Sequence, residues 1–402
     1  MKRAVVFGAG NIGRGFLGQL FHESGYVTVF VDVLEPLVEA LNARGEYPVR
    51  IVDRQTKTLT VRNVRALHSN DLDAVATELA AADIAATAVG GPVLPHIAPA
   101  LASGIARRFV NPRALPLNII VCENLIHAGP HLRALVQRYL DPSLHGLLEE
   151  RVGFVEASIG RMVPVMTPEV RAEDPLLIEV EAYCELPVDA DGFRGPVPDI
   201  AHLLPLPNFG AIVERKLYVH NAGHASAAYL GYLRRCEFVW QAVEDPFIRR
   251  VTRGAMSESC LGLSRKHGVP LAELQAHAED LLRRFHNKAL GDQVARVAKD
   301  PMRKLGPEDR LIGAARMCLE QGVEPSNLAL ACAAALRFDD PNDPSAVRLQ
   351  AVRAESGDEG VLTEVCRLSP GHPLRSLILS AAERLSGRLD GDSLDLDQHV
   401  ER

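Results

Sequence analysis

A lysine, an asparagine and a histidine stand close together in the segment KLYVHNAGH at residues 216–224. On an α-helix, Lys216, Asn221 and His224 would point at roughly 0°, 140° and 80° around the axis, within one broad face. A desolvated lysine can act as a general base, an asparagine amide can donate to a developing alkoxide, and a histidine can hold a neighbouring hydroxyl. A solvated helix face would have the same composition, and Gly223 could end the helix before His224.

The elements near the N-terminus favour the catalytic interpretation. The apolar run 3–7 leads into Gly8-Ala9-Gly10-Asn11-Ile12-Gly13, and an apolar helical pattern follows as far as Ser24-Gly25. A glycine motif placed between a buried strand and a helix is typical of dinucleotide-binding domains. Gly8 allows the tight turn, Gly10 the approach of a pyrophosphate, and Gly13 close packing of helix and strand. We therefore expect the cofactor to be bound by Gly8, Gly10, Asn11, Ile12 and Gly13.

The second strand, 26–31, leads to Asp32, nineteen residues after Gly13. A carboxylate at this place accepts hydrogen bonds from the ribose hydroxyls of the adenosine and repels a 2′-phosphate. Neither Val33 nor Leu34 supplies a cation to offset that repulsion. The sequence therefore predicts NAD as the cofactor.

Further elements follow along the chain. Apolar runs predict strands at 84–89, 117–122, 151–160 and 176–183, a helix near 71–81, and a β-hairpin or small insertion at 51–67. Gly90 follows one strand and Asn124 another. Since ligands lie beyond the carboxyl ends of parallel strands, we expect both residues near the nicotinamide or the substrate, although Asn124 could equally be a helix N-cap.

Oxidation of a carbinol by hydride transfer needs a base for the hydroxyl proton. The base can be a zinc-bound alkoxide, a tyrosine–lysine pair, a histidine or a desolvated lysine. His220 and His224 have the spacing of helical zinc ligands, but the segment has no HExxH motif and no adjacent cysteine cluster. A YxxxK pair is absent because Lys216 precedes Tyr218. We therefore expect a site without metal in which Lys216 is the base.

The distribution of predicted strands and helices divides the chain of 402 residues into three parts. We predict an α/β Rossmann-type domain with insertions at 1–204, a mainly α-helical substrate domain at 205–385, and a disordered acidic tail at 386–402. The boundary lies in the proline-rich stretch 195–210.

The amino-acid composition limits the kinds of partner that the protein is expected to bind. The net charge of −7 provides no overall basic field for nucleic acid or an acidic membrane. The seven scattered cysteines include no CxxC pair, and no apolar run reaches the length of a membrane span. We expect a cytoplasmic protein with a small-molecule substrate; the sequence does not specify its oligomeric state.

Four motifs together resemble the polyol-specific long-chain dehydrogenases, a similarity that extends to about residue 385. The motifs are FGAGNIGRGF at the start, LNIIVCEN at 117–124, VERKLYVHNAGH at 213–224 and DPMRKLGPEDRLI at 300–312. The resemblance implies that Lys216 is the general base, that Asn124 and Asn221 clamp the oxyanion, and that His224 orients the substrate. It also implies sugar contacts from Arg296 and Lys304.

The region 296–310 is rich in cations, with Arg296, Lys299, Arg303, Lys304 and Arg310. Such a cluster suits a phosphate or a carboxylate, although a solvated helix face is the competing interpretation. We expect Arg296, Arg303, Lys304 and Arg310 to bind the substrate.

Two departures from the family concern the substrate. Gly160 stands where relatives have an aspartate before Arg161, and Lys288 stands where relatives have a proline. The resemblance implies NAD-dependent interconversion of D-mannitol 1-phosphate and D-fructose 6-phosphate. The alternatives are a related polyol dehydrogenase, a hexuronate reductase, or a non-catalytic NAD-sensing protein.

Overall fold

The computed structural model describes residues 1–53 and 55–389, which form two compact units, Met1–Ile212 and a second from Val213 onward. In the sequence, the boundary between them falls just after the proline-rich stretch 195–210. The tail predicted at 386–402 lies outside the described residues, except that the last helix extends to Leu389.

The first unit is built on a six-stranded sheet of order β5-β2-β1-β6-β7-β8, in which every neighbouring pair is parallel. This is the strand order of dinucleotide-binding domains, so the predicted Rossmann-type architecture is confirmed. The strands are β1 Lys2–Phe7, β2 Tyr26–Asp32, β3 Glu46–Ile51, β4 Lys57–Arg62, β5 Val64–His68, β6 Ile84–Thr87, β7 Leu117–Val121, β8 Val152–Glu156, β9 Ile178–Val180, β10 Leu186–Asp189 and β11 Leu203–Leu206.

The stretch 51–67 is not a single hairpin, which corrects the sequence interpretation. β4 pairs antiparallel with β3, whereas β5 runs parallel to β2 at the edge of the main sheet. The alternation of apolar and polar residues continues from β4 into β5 because both strands are half-buried. The chain passes from one sheet to the other at Asn63, which has a left-handed φ of 59°. β9 joins β3 and β4 in a separate three-stranded sheet, and β10 pairs with β11.

Helices cover both faces of the main sheet. The segment Gly13–Leu17 is π-helical, and the α-helices of this unit are α1 Gly18–Glu23, α2 Glu35–Arg44, α3 Leu72–Ala80, α4 Leu94–Phe109, α5 Ala128–Gln137, α6 His145–Arg151 and α7 Pro168–Glu173. One core contains Phe16, Leu20 and Phe30, and the other contains Leu79, Leu101 and Leu132. Burial on both faces explains why the strands are almost continuously apolar in sequence.

Two buried arginines connect the π-helical segment to more distant parts of the unit. The Arg14 guanidinium donates to the carbonyls of Ala9 and Leu176, each at 2.7 Å. Arg161 donates to the carbonyls of Gly15, at 3.1 Å, and Glu181. Burial lowers the pKa of both guanidinium groups. The carbonyl bonds compensate for this desolvation, so the backbone around residues 9–15 is fixed by hydrogen bonds with large sequence separation.

Residues 213–389 contain helices and no β-strand, which confirms the predicted mainly helical second part. Residues Lys216–Asn221 are π-helical. The α-helices are α8 Phe209–Arg215, which spans the junction, α9 Ala222–Leu233, α10 Val239–Glu244, α11 Pro246–His267, α12 Leu271–Phe285, α13 Val294–Ala298, α14 Pro301–Lys304, α15 Ile312–Glu320, α16 Ser326–Ala335, α17 Pro344–Glu364 and α18 Pro373–Leu389.

The long helix α11 has clear sequence signals at both ends. Asp245 accepts the backbone N–H groups of Phe247 and Ile248, and Pro246 occupies the first helical position. Gly268 ends the helix with a left-handed φ of 70°. A Cβ on Gly223 of α9 would lie 2.5 Å from Met256 Sδ of α11, so this glycine allows α9 and α11 to pack closely.

The seven cysteines all lie within the described residues, and none forms a disulfide. In the part of the chain from 1 to 389 apart from residue 54, no helix has both the length and the apolar character needed to cross a bilayer.

Candidate functional site

The glycine turn after β1 is closely packed at two of its glycines and open at the third. Gly8 has a φ of +97°, and a Cβ there would lie 2.5 Å from the Ala88 carbonyl oxygen. A Cβ on Gly13 would lie 1.9 Å from the Gly8 carbonyl oxygen. A Cβ on Gly10 would meet no atom within 4 Å, because this residue faces open space. Gly8 and Gly13 therefore serve the turn itself, whereas Gly10 leaves room for a ligand.

Asp32 connects the end of β2 to this turn. Its carboxylate accepts the Ala9 N–H at 2.7 Å and the Leu34 N–H at 3.0 Å. A carboxylate offers about four acceptor sites, so these two bonds leave capacity for ribose hydroxyls. Asn11 is exposed and Ile12 half-buried, between the turn and the π-helical segment. The residues predicted to bind the cofactor are thus brought together at the carboxyl edge of the sheet and fit a dinucleotide.

Glu123 organises the ends of β6 and β7, a role that the sequence interpretation missed. Its buried carboxylate accepts the N–H groups of Val89, at 3.0 Å, and Gly90, at 2.7 Å. Gly90 has a φ of +90°, and the next residue after Glu123 is the exposed Asn124. Asn124 lines a cavity of about 500 Å³, together with Gly91, Pro92, Leu125, Ile126, His127, Pro130 and His131. The cavity lies where the strand topology predicts a ligand.

In the second unit, the segment Lys216–Asn221 is π-helical, which corrects the α-helical geometry assumed from the sequence. Hydrogen bonds in a π-helix join residues i and i+5. Lys216 and Asn221 are five residues apart, so one wide turn brings them to nearly the same face. The α-helix then continues through Gly223 to Leu233, and Gly223 does not interrupt it before His224.

His224 is held by two side chains from outside its own helix. Its Nε2 lies 2.7 Å from Asp292 Oδ2, and its ring stacks on Phe285 with 4.9 Å between centroids and 11° between planes. The other Asp292 oxygen is paired with Arg296. Burial would raise the pKa of Asp292, but the hydrogen bond with His224 and the charge of Arg296 outweigh it and lower the pKa.

His220 lies on the buried side of the same segment. Burial lowers its pKa well below the ordinary value, and the positive charges of Arg284 and Lys216 lower it further. His220 is therefore neutral at physiological pH. The His220 and His224 rings are 6.3 Å apart. Within residues 1–53 and 55–389, no three histidine, cysteine, aspartate or glutamate side chains are grouped to hold a metal ion.

The four cationic residues predicted to bind substrate lie among carboxylates. Arg303 pairs with Asp300 at 2.7 Å and with Asp309 at 2.9 Å, and Arg310 pairs with Asp309 at 2.7 Å. Arg296 pairs with Asp292, as described above. Lys304 is buried and donates to the Lys299 carbonyl. Its pKa is lowered to about 7, first by burial and then by the charges of Arg310 and Arg303.

Two family profiles together match most of the chain. The mannitol dehydrogenase Rossmann domain matches residues 2–202, and the mannitol dehydrogenase C-terminal domain matches residues 209–362. The chain belongs to the mannitol dehydrogenase family. It is therefore an enzyme of the polyol dehydrogenase class, with a dinucleotide-binding domain as its first unit.

Relatives within the family match almost from end to end. The mannitol-1-phosphate 5-dehydrogenase of Brevibacillus brevis is 41% identical over 382 residues, covering 95% of this chain and 98% of that protein. The enzyme of the same name from Bacillus licheniformis is 41% identical over 379 residues, covering 94% of this chain and 98% of the relative.

Solved structures share the fold at low sequence identity. The Pseudomonas fluorescens mannitol 2-dehydrogenase, in a ternary complex with NAD and D-mannitol, has a TM-score of 0.74 and 18% identity, with 96% of this chain and 92% of that chain covered. A substrate-free D-sorbitol dehydrogenase has a TM-score of 0.78 and 18% identity, with 95% and 93% covered.

The two departures from the family have defined surroundings. A Cβ on Gly160 would lie 3.1 Å from Tyr183 Cε1, so an aspartate at this position would require the tyrosine ring to move. The Lys288 ammonium lies 3.0 Å from Glu244 and 4.2 Å from the centre of the Trp240 ring.

Asp292 and Phe285 are contacts of His224 that the sequence interpretation missed. They lie 68 and 61 residues after His224, so no local periodicity connects them to it. The only sequence signal is their position on either side of the segment 286–291, which contains Lys288 in place of the proline of relatives.

The two functions assigned to the glycines can be separated by substitution. Gly13→Ala should lower the free energy of unfolding by about 1–3 kcal/mol, because its Cβ would clash with backbone that cannot yield easily. Gly10→Ala, the matched control, should change it by less than about 0.5 kcal/mol but weaken NADH binding about tenfold or more. Denaturant unfolding and NADH fluorescence titration measure the two quantities. Unchanged NADH affinity in Gly10→Ala would refute the placement of the cofactor at this turn.

Proposed function

We propose that this protein is an NAD-dependent dehydrogenase that interconverts D-mannitol 1-phosphate and D-fructose 6-phosphate. The observation that carries the proposal is the similarity, along nearly the whole chain, to enzymes named mannitol-1-phosphate 5-dehydrogenase. The local geometry supports it, because the second unit presents a lysine and an asparagine on one π-helical face next to a firmly held histidine.

The choice of NAD over NADP rests on Asp32. Its carboxylate lies at the end of β2, and the two following residues, Val33 and Leu34, are apolar and exposed by 66% and 58%. A 2′-phosphate placed here would meet a negative charge with no cation from these neighbours. Bound at this turn and at Asp32, NAD would supply the hydride acceptor for oxidation, and NADH would supply the hydride donor for reduction.

Lys216 is proposed as the general base. In the oxidative direction its amine takes the proton of the substrate hydroxyl, and in the reductive direction its ammonium returns that proton to the new alkoxide. The task requires a pKa lowered toward the working pH. The Lys216 side chain is half-buried, and its positive charge acts on the neighbouring His220.

Asn221 and Asn124 are proposed as donors to the alkoxide oxygen. Asn221 follows Lys216 by one π turn, so proton transfer and oxygen stabilisation come from the same face of one segment. Asn124 presents its amide at the carboxyl end of β7, beside the cavity in the first unit. Amide donors fixed in advance stabilise developing negative charge without reorganising during the reaction.

The substrate phosphate is assigned to the cationic cluster of Arg303, Lys304 and Arg310, and Arg296 and Lys304 are assigned to the sugar. Asp309 pairs with both Arg303 and Arg310, so these guanidinium groups are held in place before a ligand arrives. Guanidinium groups keep additional N–H donors when they pair through one edge, and these suit phosphate oxygens.

A second candidate is an unphosphorylated polyol. It is favoured by the carboxylates of Asp292, Asp300 and Asp309, which already neutralise Arg296, Arg303 and Arg310. Arginines whose charges are neutralised by carboxylates attract an anion less strongly than unpaired arginines would.

A substrate panel separates these functions. NADH oxidation should be measured with fructose 6-phosphate, fructose and hexuronates, and with fructose 1-phosphate as a control that carries the phosphate at the other end. We expect kcat/KM for fructose 6-phosphate to exceed that for fructose by about 10²–10³-fold, the value of one or two charge-assisted hydrogen bonds. Equal or faster turnover of free fructose would contradict the phosphate assignment, and turnover of hexuronates alone would contradict the polyol assignment.

The lowered pKa of Lys304 predicts a pH dependence of substrate binding. With a pKa of about 7, Lys304 is protonated below that pH and loses its charge above it. The KM for fructose 6-phosphate should therefore rise as the pH increases above about 7, whereas the matched variant Lys304→Arg, which stays charged, should show a flatter profile. Steady-state kinetics across this range test the prediction, and identical KM profiles for the two proteins would refute it.

A further inference from the structure

The imidazole of His224 is restrained both at its edge and on its face. Its Nε2 lies 2.7 Å from Asp292 Oδ2, and Phe285 covers the ring at an interplanar angle of 11°. The His224 and Asp292 side chains are only 16% and 12% exposed. A flip that exchanged the ring nitrogens would break the bond to Asp292, so one nitrogen is committed to the carboxylate.

The direction of this hydrogen bond follows from the second partner of Asp292. Arg296 pairs with Oδ1, and an arginine next to a carboxylate keeps the carboxylate ionised. An ionised carboxylate can only accept hydrogen bonds. At 2.7 Å, the proton between the two groups must therefore belong to Nε2 of His224.

The carboxylate is also fixed through its backbone. Asp292 follows Gly291, which turns the chain with a left-handed φ of 54°. Its carbonyl accepts the Val239 N–H at 2.8 Å, and two residues later the Val294 N–H donates to the Glu237 carbonyl at 2.9 Å. The segment that carries Asp292 is thus held by backbone hydrogen bonds to the start of α10, independently of His224.

A neutral imidazole has one donor nitrogen and one acceptor nitrogen. With the proton on Nε2, Nδ1 is the acceptor, and no hydrogen bond to Nδ1 is found among residues 1–53 and 55–389. We propose that Asp292 is a positioning residue that fixes His224 as a hydrogen-bond acceptor, so that His224 selects a substrate hydroxyl. This rests on the proposed function, because it assumes that His224 meets the substrate.

As a hydrogen-bond acceptor, His224 distinguishes a substrate hydroxyl from a substrate carboxylate. A hydroxyl group can donate to Nδ1, whereas a carboxylate oxygen cannot and would place two acceptors against each other. A polyol or keto sugar with a hydroxyl at this position is therefore accepted, and a hexuronate with its carboxylate there is rejected. The arrangement favours a polyol substrate over a sugar acid within the same dehydrogenase chemistry.

Nitrogen NMR on protein labelled with ¹⁵N-histidine measures the tautomer directly and needs no substrate. The His224 signals can be assigned by their loss in His224→Gln. At alkaline pH, where free imidazole is neutral, we expect a protonated Nε2 and an unprotonated Nδ1 in the wild type. A proton on Nδ1 alone, or on both nitrogens, would overturn the proposal, even if the enzyme turned over polyol phosphates.

Kinetics then test whether Asp292 acts through His224. Asp292→Asn should lower kcat/KM for fructose 6-phosphate about 10- to 100-fold and shift the tautomer, with NADH affinity unchanged. Asp292→Glu, which retains the charge, should recover part of the loss. Asp358→Asn, which removes a comparable partner of Arg353, should stay within about twofold of the wild type.

A double-mutant cycle distinguishes positioning from general destabilisation. In the His224→Gln background, Asp292→Asn should reduce kcat/KM clearly less than it does in the wild type, because only its pairing with Arg296 remains. Additive losses would refute the positioning role. If Asp292→Asn does not fold, the tautomer of His224 in the wild-type protein still tests the proposal. A correct tautomer in a protein that turns over none of the sugars would refute the proposed function and leave the geometry of His224 intact.

Discussion

The candidate site of the second unit depends on one departure from α-helical geometry. Between Lys216 and Asn221 the backbone makes a π-helical turn, which brings residues five apart onto nearly the same face. An α-helix would have separated these two side chains by roughly 140°. π-Helical turns are rare and are often found at functional sites. Here α9 continues directly from the turn and packs closely on α11 at Gly223, next to Met256.

The same principle governs the first unit, where a π-helical segment, Gly13–Leu17, follows the glycine turn. The hydroxyl of the buried Tyr47 donates to the Arg14 carbonyl at 2.8 Å, and the Arg14 side chain donates back to the carbonyl of Ala9. In both units, irregular backbone next to the functional residues is held by buried side chains from distant parts of the sequence. Local propensity alone would not maintain either segment.

Charge in the second unit is arranged in paired groups. The protein has a net charge of −7. Within the region 296–310, the arginines Arg296, Arg303 and Arg310 are paired with Asp292, Asp300 and Asp309. This pairing fixes the geometry of the guanidinium groups and reduces their non-specific attraction for anions. The pair between Asp292 and Arg296 includes a third residue, because the other oxygen of the Asp292 carboxylate is hydrogen-bonded to His224.

The sequence was sufficient for the features that are encoded locally. Short patterns predict the glycine motif with its flanking strand and helix, Asp32 at the end of β2, and the change to helices in the second half. The strand order of the main sheet agrees with these predictions. The split of 51–67 between two sheets was missed, because half-buried strands of either sheet alternate in the same way. The π-helical turn was missed since no residue type marks it, and Asp292 because its partner lies 68 residues away.

In the proposed mechanism, Lys216 is the base of the hydride transfer. Lys216→Ala removes this base, and Lys57→Ala, which removes an exposed lysine on β4, is the control. We expect Lys216→Ala to lower kcat for fructose 6-phosphate reduction by about 10²–10⁴-fold, with little change in the Kd for NADH. A kcat close to that of the wild type, or a loss fully explained by weaker NADH binding, would contradict it.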